Sequence, residues 1–174
     1  MGLVVLTGAS GSGKTTIAAA IGASYPVVEV HHFDSIGVPR VEHMVRDYGS
    51  PEGWQRAMTF EWIGKLAPLA EAGRPVLLEG QMRLAFVAEA AEAVGRIPMT
   101  TILLDCNDST RAQRLIEARG QPHLASAEMM DWAAYLRREA AILRWTTLDT
   151  SEQTVAESVA AVATQLWPNG RLSH

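Results

Sequence analysis

The chain has 174 residues, 48% apolar and 20% charged, with a net charge of −4. This allows one domain with a sizeable core, and the acidic balance argues against a nucleic-acid-binding domain. A single cysteine, Cys106, rules out an internal disulfide, and no apolar run reaches membrane-span length, so a cytoplasmic protein with no membrane or nucleic-acid partner is expected.

In chain order, strand-like and helix-like segments alternate. "LVVLT" (3–7) is a short apolar strand that runs into a glycine-rich loop. "TTIAAAIGAS" (15–24) is alanine-rich with Ile17 and Ile21 four apart, which predicts a helix. "PVVEVHHF" (26–33) reads as a second strand. Residues 51–73 carry Trp54, Met58, Trp62 and Leu66 at four-residue spacing, which predicts a long helix kinked near Pro68 and ended by Gly73. "PVLLEG" (75–80) is a third strand, followed by a helix over 83–95 with Leu84, Val87, Ala91 and Val94 on one face. "MTTILLDC" (99–106) is a fourth strand, and 108–120 reads as a helix that ends in glycine. A helix over 126–145 turns Met129, Trp132, Ala133, Leu136, Ala140 and Leu143 inward. "TTLDT" (146–150) is a short fifth strand. A last helix over 151–167 carries the stripe Val155, Val159, Val162 and Leu166, and "PNGRLSH" is a polar tail expected to fray. Strands alternating with helices imply a parallel sheet covered on both faces, as one α/β domain over 1–174.

The loop after the first strand is the most specific signal. Gly8, Gly13, Lys14 and Thr15 fit G-x-x-x-x-G-K-[ST], between a strand and a helix as the pattern requires. Its glycines let the backbone wrap a phosphate, and the helix N-terminus adds positive potential. Residues Gly8, Ala9, Ser10, Gly11, Ser12, Gly13, Lys14, Thr15 and Thr16 therefore form the candidate nucleotide site. Lys14 is placed on the β- and γ-phosphates and Thr15 on Mg²⁺. Lys14 stands out further because the chain has thirteen arginines but only two lysines.

Ligands of open parallel sheets bind beyond the carboxyl ends of the strands. There the chain offers Asp34 after the second strand, Glu79 and Arg83 after the third, and Asp105 with three arginines after the fourth. With these residues the sequence resembles the small P-loop kinases of the nucleoside-monophosphate-kinase class, a group that includes adenylate, shikimate and gluconate kinases. "LLEGQMR" is similar to the D-G-x-x-R segment of adenylate kinases, with Glu79 and Arg83 on its acidic and arginine positions. "STRAQRLIEARG" is similar to the helix leading into their mobile lid, and "LDTS" to the adenine-side loop of the sugar kinases.

The resemblance implies a three-layer α/β/α P-loop NTPase fold with a five-stranded parallel sheet in order 2-3-1-4-5. It also implies an arginine-bearing lid over about 111–130 and an ATP- and Mg²⁺-dependent kinase of a small-molecule acceptor, acting as a monomer or homodimer. Thr15 and Glu79 are the expected metal residues. Asp34 is the expected base, its bland alternative being a turn cap. Arg114 and Arg119 are the expected lid arginines, whereas Arg111 reads as a solvated helix face and Arg137 as a weaker candidate for the phosphates. Asp34, Arg83, His32 and Arg40 are the expected acceptor-binding residues. Trp54 and Trp62 read as core, and Cys106 as an inert buried thiol.

Rival classes fit less well. A regulatory GTPase lacks its N/T-K-x-D stretch here, and a motor or transporter ATPase would carry partner motifs that are absent. A nucleotide-binding sensor or interaction module without an acceptor remains the alternative, and it would have no need of Asp34 or the lid arginines.

Overall fold

The computed structural model describes residues 2–167, so the predicted fraying of "PNGRLSH" lies outside the described residues. Strands β1 (Leu3–Thr7), β2 (Glu29–His32), β3 (Val76–Gly80), β4 (Met99–Asp105) and β5 (Thr146–Asp149) form one parallel sheet in the order β2-β3-β1-β4-β5. This is the expected order. The central strands are apolar on both faces because helices cover both. Those helices are α1 (Lys14–Ser24), α2 (Val41–Tyr48), α3 (Pro51–Glu71), α4 (Leu84–Val94), α5 (Asp108–Gln113), α6 (Ala127–Leu143) and α7 (Val155–Leu166).

Strand alternation divides the core. Leu3, Val5, Val76 and Leu78 pack with Trp54, Trp62, Ile63 and Leu66 of α3 and Val87 of α4. Val4, Leu6, Leu77, Ile102 and Leu104 pack with Ile17 and Ile21 of α1 and Val159, Val162 and Leu166 of α7. A smaller cluster joins Ala9, Leu84 and Leu103 to Ala133, Leu136 and Ala140 of α6. Trp54 and Trp62 are thus core, and the Trp62 indole donates to Phe33 O at 3.1 Å.

The helix ends follow their caps. Ser50 accepts from Gly53 N ahead of Pro51, which opens α3, and α3 runs on through Pro68. Helix α7 starts later than expected because Thr154 and Glu157 form a capping box, with Thr154 N donating to the Glu157 carboxylate at 2.8 Å. Val155 is consequently 45% exposed rather than part of the buried stripe. In α4, Phe86 and Ala90 are buried, whereas Ala91 and Val94 are only partly so. The expected helix over 108–120 is α5 followed by a π-helical turn over Arg114–Ala118, closed by Arg119 N donating to Arg114 O at 3.1 Å. Helix α2 has no counterpart in the sequence reading; it buries only Met44, so it carries too short an apolar repeat to stand out. Among the described residues no helix is long and apolar enough to cross a membrane.

Candidate active site

The glycine loop leaves β1 and enters α1, and its conformation demands glycine. Gly8 has φ 155°, and a Cβ there would lie 2.2 Å from Leu104 O, a backbone atom of the neighbouring strand. Gly8→Ala is expected to destabilise the protein by about 2–4 kcal/mol and to abolish nucleotide binding, read by thermal melting and calorimetry. An alanine variant with wild-type melting would show that the loop tolerates a side chain there.

Lys14 lies across this loop, 9% exposed, with Nζ donating to Ala9 O at 3.1 Å. Burial pulls its pKa down to about 8; Arg119 and Arg111 push the same way, while Glu79 and Asp34 oppose them. The folded pKa lies below the unfolded value of 10.5, so between those values the unfolded chain holds more protons and stability rises with pH. Ligand-free protein is therefore expected to gain up to roughly 3 kcal/mol between pH 8 and 10.5 relative to a Lys14→Met control, measured by denaturant titration. Equal pH slopes for the two proteins would contradict this.

Glu79 lies near the end of β3 and Asp34 just past the end of the neighbouring β2, and the fields of both reach Lys14. Glu79 is 6% exposed, and its Oε1 lies 2.7 Å from His32 Nδ1. Asp34 is exposed in a 3₁₀ turn over Phe33–Ile36, two residues beyond His32. His31 is partly buried against the Trp62 ring at 5.5 Å, and His32 is the more exposed of the pair, as strand alternation requires. Thr15 and Thr16 are exposed on the first turn of α1.

The segment after β3 is tied to the loop. Thr7 Oγ1 donates to Met82 O at 2.7 Å, and Ser10 Oγ donates to Gln81 Oε1 at 3.3 Å. Beyond it opens a cavity of about 400 Å³ lined by Ser50, Glu52, Gln55, Gln81, Arg83 and Trp132. The Arg83 guanidinium lies over the rings of Trp132 at 5.1 Å and Tyr135 at 5.0 Å, and its Nη2 is 3.5 Å from Glu52 Oε2. Tyr135 donates to Glu139 at 2.6 Å, and burial and that bond hold its pKa up. Trp132, read as an inward helix position, is thus part of the wall, and Tyr135 packs behind it against Arg83. Arg40 is exposed at the start of α2 and does not line this cavity.

On the other side of the loop, a cavity of about 200 Å³ is lined by Gly11, Gly13, Thr16, Arg114, Arg119 and Gln153, among others. Exposed Val155 also faces it. Arg114 donates to Thr150 Oγ1 at 2.9 Å, Thr150 O at 2.7 Å and Gly11 O at 3.4 Å, whereas Arg119 is exposed on the rim. Arg111 departs from expectation. It is fully buried rather than solvated, because its guanidinium pairs with Asp105 and donates to Ser10 O at 2.8 Å and Cys106 O at 3.1 Å. Arg137 points inward, 3.5 Å from Asp105 Oδ2, and Arg138 is exposed. Cys106 is buried, which raises its thiol pKa.

A family model described as an AAA domain matches residues 4–133. No curated protein matches the sequence. Among solved structures, the chain is similar to a shikimate kinase from Acinetobacter baumannii in complex with shikimate, with TM-score 0.65, 14% identity, and coverage of 98% of this chain and 96% of that one. It is similar to a sugar kinase from Janibacter sp. HTCC2649, with TM-score 0.60, 22% identity, and coverage of 95% and 94%. It is also similar to a gluconokinase from Sinorhizobium meliloti 1021, with TM-score 0.59, 18% identity, and coverage of 95% and 91%. At such identities the likeness is one of fold. With its family model spanning well over half its length and its sheet in the P-loop kinase order, the chain belongs to the AAA domain family.

Proposed function

We propose that the chain is an ATP- and Mg²⁺-dependent phosphotransferase that moves the γ-phosphoryl group to a hydroxyl of a small-molecule acceptor. The observation that carries this reading is a second cavity, separate from the one the phosphate loop lines and walled by Gln81, which bonds to Ser10 of the loop, and Arg83, with Lys14 buried across the loop. A nucleotide-only module needs the first cavity and not the second.

The backbone of residues 8–16 and Lys14 hold the triphosphate, with its base side towards Gln153 and Val155. Phosphate oxygens beside Lys14 oppose the effect of burial and hold it in its charged form. Thr15, exposed on the first turn of α1, and Glu79 would hold Mg²⁺, for which a hydroxyl and a carboxylate are suitably hard oxygen donors, and the ion would neutralise charge on the transferring group. Asp34 orients the acceptor hydroxyl and takes its proton. Arg83, in the wall of the second cavity, and His32, beside Glu79, contact the acceptor, Arg40 reaches it only from outside that cavity, and Arg114 and Arg119 close over the nucleotide's charge.

The test is ADP release from Mg·ATP with a panel of nucleosides, nucleotides, sugars, hydroxy acids and aminoglycoside-like compounds. Strong stimulation by one compound is the expected result and gives the acceptor class. Tight ATP binding with slow release, unchanged by every compound, would favour a sensor module.

A further inference from the structure

Three consecutive carbonyls of the phosphate loop are held by side chains from outside it. Arg111 Nη1 donates to Ser10 O at 2.8 Å, Arg114 Nη1 to Gly11 O at 3.4 Å, and Thr150 Oγ1 lies 3.1 Å from Ser12 O. The Cys106 thiol adds a longer contact to Gly11 O at 3.6 Å. Carbonyls drawn towards α5 and the end of β5 leave the loop amides, apart from Ser12 N, which donates to Ala9 O at 3.3 Å, able to converge on an anion.

Arg111 is the unusual member. Its side chain packs beneath the loop, with Cγ 3.0 Å from where a Cβ on Gly11 would lie. Leu115, four residues on, fills the same side of Gly11 and is also fully buried. Packing alone would be served by a second leucine at 111, without the cost of desolvating a guanidinium. The charge is instead retained and tied into a chain of contacts. Asp105 accepts from Arg111 and faces Arg137 of α6, which in turn lies 3.4 Å from Asp108. Among the described residues, Nη1 and Nη2 of the Arg111 guanidinium find partners and Nε finds none.

We propose that Arg111 is a positioning residue that holds the phosphate loop in its anion-accepting shape before nucleotide arrives. It fixes the Ser10 peptide and touches no reacting atom. The inference rests on the loop binding phosphate, and it is independent of the acceptor.

Pyrophosphate is the probe, because it needs neither base nor acceptor. Arg111→Met keeps the bulk and loses the donors. Its pyrophosphate affinity, measured by calorimetry, is expected to fall about tenfold or more, as for a lost charge-assisted hydrogen bond. In the ligand-free variant, ¹⁵N order parameters of residues 9–13 are expected to drop from about 0.85 towards 0.6, with β1 and β4 unchanged. A merely structural residue would lower stability without that local loss of order. Arg111→Lys keeps the charge and the alkyl stem but cannot span Ser10 and Asp105 together, so it is expected to fall between the two; it carries the same comparison if Arg111→Met melts too low. A folded variant with affinity within about twofold of wild type and an equally ordered loop overturns the inference. If wild-type protein fails to bind pyrophosphate, the phosphate reading itself fails, and the order parameters still decide the role of Arg111.

Discussion

Lys14→Ala is expected to lower turnover about a thousandfold or more while leaving the ligand-free protein no less stable. The two halves of this result have one cause. Lys14 is buried, with Arg119 and Arg111 adding to the effect of burial and Glu79 opposing it, and its pKa of about 8 records the cost of keeping it charged there. Nothing in the free protein repays that cost beyond the bond to Ala9 O and the fields of Glu79 and Asp34. Triphosphate oxygens would, so the lysine serves the bound state. Steady-state ADP release and melting curves on one preparation check both halves. Turnover within about tenfold of wild type would remove Lys14 from the mechanism.

Asp34→Asn is expected to spare ATP binding and cut phosphoryl transfer by about 10²–10⁴-fold. Asp34 is exposed, and the bond recorded for it is through the backbone, with Gly37 N donating to Asp34 O at 3.0 Å. The substitution keeps the shape and removes only the charge and the basicity. Stability is therefore expected to stay within about 0.5 kcal/mol. Calorimetry with ATP, against turnover on the acceptor identified by the panel, separates binding from transfer. Full turnover would end the assignment of Asp34 as base and shift attention to the His32–Glu79 pair next to it.

The fold was legible because its signals are local. The glycine pattern announces a loop between a strand and a helix, and alternating apolar segments give the sheet around it. Helix α2 and the π-helical turn were not legible: one has a single buried residue, and the other differs from an α-helix only in backbone bonding. At the site, Glu79 stands near the end of β3 and Lys14 opens the helix that follows β1, where the topology places ligands. The environment of Arg111 was hidden for a different reason. Two of its partners are the carbonyls of Ser10 and Cys106, which leave no mark in a sequence, and the third, Asp105, stands in the sequence near three arginines without showing which of them it pairs with. Within "STRAQRL", Arg111 sits among polar residues and reads as solvated, although it shares a buried side of the helix with Leu115. The cavity wall formed by Arg83 and Trp132 was hidden because Trp132 lies 49 positions from Arg83 and reads as one more apolar helix residue.

The most direct test of phosphoryl transfer follows the label of γ-³²P-ATP, with Mg²⁺ and an extract of small metabolites, in wild type and in Lys14→Ala. The account predicts label on an organic acceptor with wild type and none with the variant. Label recovered only as inorganic phosphate, at the same rate with and without the extract, would contradict it and leave a nucleotide hydrolase.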